Sequence, residues 1–183
     1  MKKQFLIIAV LAILTASCSL IDKLDELTKF DLPYDTSFNI EASVDVPLPA
    51  GKTLSIPTPP ISTNSETQFD VNKTAKNLIE EIKLKELSLT ISAPEDGNFD
   101  FISSIDLYIN AEGLDETKIA SATDIPKGSQ EINLTVEDID LTPYITGNEI
   151  SFKATTVTGE IVTQNIDIDL HSVFHVDAKI LGI

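Results

Sequence analysis

The sequence predicts an all-β domain, an antiparallel β-sandwich carrying one or two short helices. Three observations carry this expectation. Apolar and polar residues alternate over several short stretches, the period of a strand with one buried face. Those stretches recur roughly every ten residues and are punctuated by Gly, Pro and Asn, as in sandwiches and barrels. Neither the strand and helix alternation of a parallel sheet nor a repeat of about 20 to 50 residues is visible.

Taken in order, residues 19–30 place Leu20, Ile21, Leu24 and Leu27 at helical spacing and predict an amphipathic tether helix. Pro33 ends it, because the residue before a proline is pushed out of helical space. From 38 to 46 the alternation Phe38, Ile40, Ala42, Val44, Val46 predicts a strand with these side chains buried. Residues 47–61 hold five of the nine prolines and predict a long, stiff loop with a short edge strand at Leu54, Ser55 and Ile56. Phe69 and Val71 suggest another short strand. Asn72 then offers an N-cap for a helix reaching Glu81, with Leu78, Ile79 and Ile82 on its buried side.

Leu84 follows Ile82 in one phase, whereas Leu87, Leu89 and Ile91 follow the other. The slip at Lys85 and Glu86 predicts a β-bulge in one long strand. Residues 94–98 have turn chemistry. Further strands are expected at Ile105, Leu107 and Ile109, at Ile119 and Ala120, at Ile132, Leu134 and Val136, and at Ile150, Phe152 and Ala154. A last long one runs from Ile166 through Leu170 and Val176 to Ile180. Between them, Leu141 to Ile145 reads as one helical turn with Pro143 near its start.

The N-terminus reads as a secretion signal. Lys2 and Lys3 form its charged region, residues 5–14 an apolar run and residues 15–17 a small-residue approach to Cys18, too short for a membrane span. This segment resembles the lipobox of bacterial lipoproteins, although Thr15 stands where that family usually has an aliphatic residue. The resemblance implies cleavage before Cys18 and its acylation, palmitate included. Ser19 follows, where aspartate is associated with inner-membrane retention, so by that resemblance the outer membrane is expected. The expected organisation is a signal peptide over 1–17, a lipidated tether over 18–33 and a sandwich domain over 34–183.

The mature chain would have 166 residues and, with eleven lysines against 29 acids, a charge of about −18. There is no arginine, the side chain best suited to bidentate grip on phosphate or guanine. Nucleic acid is thus excluded as a partner, and docking on anionic lipid by a basic face is excluded with it. Cys18 is the single cysteine, so no internal disulfide is possible.

His171 and His175 are the only histidines. In a strand, a spacing of four spans about 13 Å, too far to share a zinc ion. The pairs Asp138 with Asp140 and Asp167 with Asp169 would each share a strand face, and neither has the spacing of a calcium loop. No nucleophile elbow, zinc-protease motif or phosphate loop is present, and the lone cysteine is taken by the lipid. No enzymatic activity, cofactor or metal is expected. The absence of tryptophan weakens a sugar platform, leaving Tyr34, Tyr108 and Tyr144.

The pattern resembles immunoglobulin-like domains, without the cysteine pair and core tryptophan of antibodies; a jelly-roll-like sandwich is the alternative. The function expected is a non-catalytic, lipid-anchored envelope protein presenting its sandwich to a protein partner or serving a structural role. Leu54, Ile56 and Ile61 are the candidate partner-binding residues, with a cover over the sheet edge as an equally open reading of the same loop. A small hydrophobic ligand held between the sheets is the second functional expectation, motivated by the abundance of Ile, Leu and Val.

Overall fold

Ten strands pair in a nested order. In the computed structural model, which describes residues 28–179, they are β1 (Lys29–Ile40), β2 (Thr53–Pro57), β3 (Ile61–Ser62), β4 (Ile79–Ala93), β5 (Ile102–Asn110), β6 (Thr117–Thr123), β7 (Glu131–Asn133), β8 (Thr135–Val136), β9 (Glu149–Thr158) and β10 (Ile166–Ala178). Helix α1 covers Ser65–Val71 and the single turn α2 covers Thr142–Ile145. One sheet has the order β1-β10-β4-β7 and the other β2-β9-β5-β6-β8, with β3 also on β9. Setting aside the two-residue strands, the first strand pairs with the last, the second with the second-last, and so inward to β5 with β6. That nesting is a hairpin of strands rolled into two sheets, so of the two sandwich types the fold is the jelly roll.

The alternation read from the sequence explains which faces meet. On β10, Ile166 to Ala178 alternate buried and outward without a break. Leu107, Ile109 and Phe152 of the opposite sheet are fully buried against them. The bulge expected at Lys85 is present: Leu84 lies opposite Phe174 and Glu86 opposite Val173, which leaves Lys85 as the extra residue. Leu134 carries the chain from β7 in one sheet to β8 in the other, its amide bonded to the Leu87 carbonyl at 2.9 Å. The helical turn α2 forms with proline in its first positions, as expected.

Several expectations are corrected. The tether helix lies outside the described residues over 19–27, and its last residues, Lys29 and Phe30, together with Asp31 to Pro33, are instead the start of β1. Pro33 is tolerated there because β1 is an edge strand, where a missing N–H costs no ladder bond. The strand expected to reach Val46 stops at Ile40, whose partner Ile166 is the first residue of β10. Beyond it the alternating residues have nothing to pair with. Phe69 and Val71 lie in α1, where local bonds such as Gln68 N–H to Asn64 O at 3.0 Å form in the absence of a neighbouring strand. Asn72 closes that helix rather than opening another, its side-chain amide donating to Gln68 O at 2.8 Å. Residues 79–81, read as helix, already belong to β4, because Ile79 and Glu81 pair with Ala178 and Asp177. Asp138 and Asp140 lie in the loop before α2 and not on a strand.

Antiparallel pairing sorts the connections into two ends. Loops 41–52, 94–101, 124–130 and 159–165 gather at one, called apical here. Strand β1 begins and β10 finishes at the other, basal end, where Lys29 faces Asp177 beside α1, α2 and loop 111–116. Among the described residues, no helix is long and apolar enough to cross a membrane.

Candidate functional site

The apical end is built by two loops laced together. Leu48 and Val162 exchange both backbone hydrogen bonds, at 2.9 and 3.0 Å, and the Asn165 side chain accepts from Ala42 N–H at 3.0 Å. Buried Thr158, the last residue of β9, fixes the base of the first loop. Its hydroxyl donates to Pro49 O at 2.6 Å and accepts from Lys52 N–H at 2.9 Å. Leu48 and Val162 point into the core, whereas Val44, Val46 and Ile161 are 81%, 71% and 65% exposed. Sequence reasoning missed this feature because Val44 and Val46 continue the phase of a buried face. Pro47 and Pro49 mark where that run ends, but local spacing does not show that the pairing partner β10 begins only at Ile166, opposite Ile40.

Beside Ile161 lies a groove of about 180 Å³, lined by Asp96, Asp100 and Glu160 among others. Asp100 is oriented by the Gly128 amide, which donates to its carboxylate at 2.7 Å. The four apical loops together carry seven carboxylates and two lysines, so the exposed apolar side chains sit in a negative field.

The residues singled out in the sequence are spread elsewhere. Leu54 and Ile56 on β2 and Ile61 on β3 are half-buried and pack against the core, the placement a covering role requires. The segment is fastened by buried threonines: Thr58 Oγ1 accepts from Phe152 N–H at 2.9 Å, and Thr63 Oγ1 donates to Gly147 O at 2.5 Å. Ile56→Ser is expected to cost about 1 kcal/mol or more from lost apolar burial. That corresponds to a fall in Tm of about 2–4 °C per kcal/mol for a domain of this size, read by thermal unfolding; an unchanged Tm would contradict the covering placement.

His171 and His175 stand on the outward face of β10, each turned to its own aspartate on β1. His171 Nδ1 lies 2.6 Å from Asp35 and His175 Nδ1 2.7 Å from Asp31. Asp167 and Asp169 lie on that same outward face. Among the described residues, no three His, Asp or Glu side chains gather as a metal site. Tyr34 and Tyr144 are buried, with the Tyr34 hydroxyl on Thr63 O at 2.9 Å and its pKa pushed up to about 12 by burial. Tyr108 is half-exposed, but Lys153 Nζ sits 5.0 Å over its ring, which occupies the face a sugar would stack on. A groove of about 760 Å³ at the basal end, lined by residues such as Lys76, Asn110, Pro143 and Glu149, is open to solvent and does not lie between the sheets.

Two carboxylates tie the frame together. The Lys85 hydrogen bond and then His175 hold the Asp31 carboxyl below the usual 3.8. Burial pushes Asp140 up, but hydrogen bonds from Thr142 and Ile82, with Lys83 nearby, outweigh it and hold that carboxyl low as well. With the folded pKa below the unfolded one, each contributes stability that is complete above the ordinary carboxylate pKa and is lost as pH falls through the lowered value. Joint replacement Asp31→Asn and Asp140→Asn is expected to lower stability at neutral pH and to flatten its decline below about pH 4. Urea midpoints across pH 2.5–7 would read this, and an acid limb of unchanged slope would contradict it.

No protein-family model matches the chain, and no curated protein matches it. Solved structures of similar shape include the decameric BFDV capsid protein, 8% identical over 83% of this chain and 98% of that one, with a TM-score of 0.45. Desmodium yellow mottle tymovirus is 11% identical over 85% of each chain, with a TM-score of 0.31. A structure of carbohydrate-binding modules from the β-sandwich superfamily is 13% identical over 82% of this chain and 54% of that one, with a TM-score of 0.30. These likenesses concern the sandwich architecture alone.

Proposed function

We propose that this chain is a non-catalytic, lipid-anchored envelope protein whose jelly roll presents its apical loops to a protein partner. The anchor is Cys18, acylated after removal of residues 1–17, and by the resemblance of the signal the membrane is the outer one. The observation that carries the reading is one of polarity. Strand β1 enters at the basal end and runs to the apical end, so the loops exposing Val44, Val46 and Ile161 lie opposite the side from which the tether arrives. Twelve residues of strand at about 3.3 Å each separate the two ends by about 40 Å.

Ten residues lie between Cys18 and Lys29, so even a fully extended link keeps the basal end within about 40 Å of the lipid. The charge of about −18 leaves acyl chains as the means of attachment, since a basic membrane-binding face is absent from the composition. A high-salt wash of native membranes tests this. The wild-type protein is expected to stay bound, because an acyl anchor is insensitive to screening; release into the wash would overturn the anchor.

A further inference from the structure

We infer that the apical end docks a basic segment of a protein partner that also carries apolar side chains, the apolar groups covering Val44, Val46 and Ile161 and the cations meeting the surrounding carboxylates. The inference rests on the reading that this end is the one presented, and it names the chemistry of the partner. Val44, Val46 and Ile161 are the three most exposed aliphatic side chains in the two laced loops, and they are not isolated on flexible tails. The Leu48–Val162 bridge and the Thr158 bonds hold their loops in fixed register. Apolar side chains already held in fixed register can be covered by a partner without the cost of first ordering their loops.

Charge then chooses among occupants. A second copy of the chain would bring seven carboxylates against seven, and like charges across an interface cost several kcal/mol. An anionic bilayer is repelled for the same reason and lies at the opposite end from the apical loops. A partner segment with lysine or arginine between apolar residues meets neither objection. The groove of about 180 Å³ between Ile161 and the carboxylates of Asp96, Asp100 and Glu160 suits a long cationic side chain, whose methylene stem packs on apolar surface while its charge stays among the acids.

The test uses the lipidated protein in its own cells, with a photo-crosslinking amino acid placed at exposed Thr163 on the apical end or, in a separate strain, at exposed Glu112 on the basal end. Adducts are digested and the crosslinked segment of the partner is sequenced. The expected result is an adduct from position 163 to a net-positive segment containing apolar residues, with little from position 112. Combined Asp96→Lys and Glu160→Lys is expected to reduce its yield about tenfold, with membrane retention and Tm unchanged. A neutral or acidic segment at position 163, or a yield indifferent to the charge reversal, overturns the partner chemistry while leaving the apical presentation standing. Adducts only from position 112, or only to lipid or to a second copy at position 163, overturn the apical reading itself.

Discussion

Cys18→Ser is expected to abolish the acyl anchor, leaving either uncleaved precursor that still carries apolar residues 5–14 or soluble chain. On the proposed reading nothing in the processed chain can substitute for the lipid: no arginine is present, and residues 18–183 hold eleven lysines against 29 acids. A single acyl chain gives only marginal, reversible attachment, whereas two or more give a stable anchor. The folded domain is expected to be unchanged, since the core is closed by residues from Leu32 to Ala178. Fractionation combined with a thermal melt reads both parts. A serine variant that stayed membrane-bound and correctly processed would contradict the anchor, and one that lost its cooperative melt would contradict the independence of the domain.

Phe174→Ala is expected to cost about 3–5 kcal/mol, the range for deleting a buried phenylalanine. Phe174 is fully buried at the centre of β10, the strand that joins β1 to β4. Its ring meets Tyr34 edge to face at 5.7 Å, and its backbone neighbour across the sheet is Leu84, just at the bulge. The backbone irregularity and the ladder on both sides limit how far the surroundings can relax into the vacated space. Against a typical total stability of about 5–15 kcal/mol, such a loss lowers Tm by roughly 6–20 °C. Val157→Ala on the partly exposed outer side of β9 is the control, expected to change stability by less than about 0.5 kcal/mol. Equal effects at the two positions would contradict the core described here.

Alternation made most of the long strands legible, because β4, β5, β9 and β10 each bury one face only. Even the bulge was readable, since inserting Lys85 shifts the phase of every apolar residue after it. What alternation cannot tell is whether a strand has a neighbour. Val44 and Val46 keep the period of Phe38 and Ile40, yet the pairing partner β10 begins at Ile166; the same residues that looked buried therefore form the exposed loop. Short apolar runs were equally ambiguous. Residues 65–71 set one buried phenylalanine, Phe69, among mostly polar neighbours, a composition that suits a seven-residue helix as well as a strand.

The nested pairing that distinguishes a jelly roll from an immunoglobulin-like sandwich is a matter of strand order, which leaves no mark in local spacing. The candidate site was hidden for a related reason. Thr58, Thr63 and Thr158 are buried and fasten the edge segment and apical loop through their hydroxyls, but in the sequence they are indistinguishable from surface threonines. His171 and His175 were readable as outward side chains of a strand; their partners Asp35 and Asp31 follow only from the register of β1 on β10.

The proposed polarity, with the basal end toward the membrane and the apical loops away from it, is tested most directly by depth-dependent quenching. Lipidated protein is reconstituted in vesicles whose phospholipids carry a headgroup quencher, with a fluorophore at Thr163 in one sample and at Glu112 in the other. The basal label is expected to be quenched, and the apical label, about 40 Å further along β1, to be unaffected. Quenching of the apical label at least as strong as that of the basal one would contradict the account, because it would place Val44, Val46 and Ile161 at the membrane and not facing a partner.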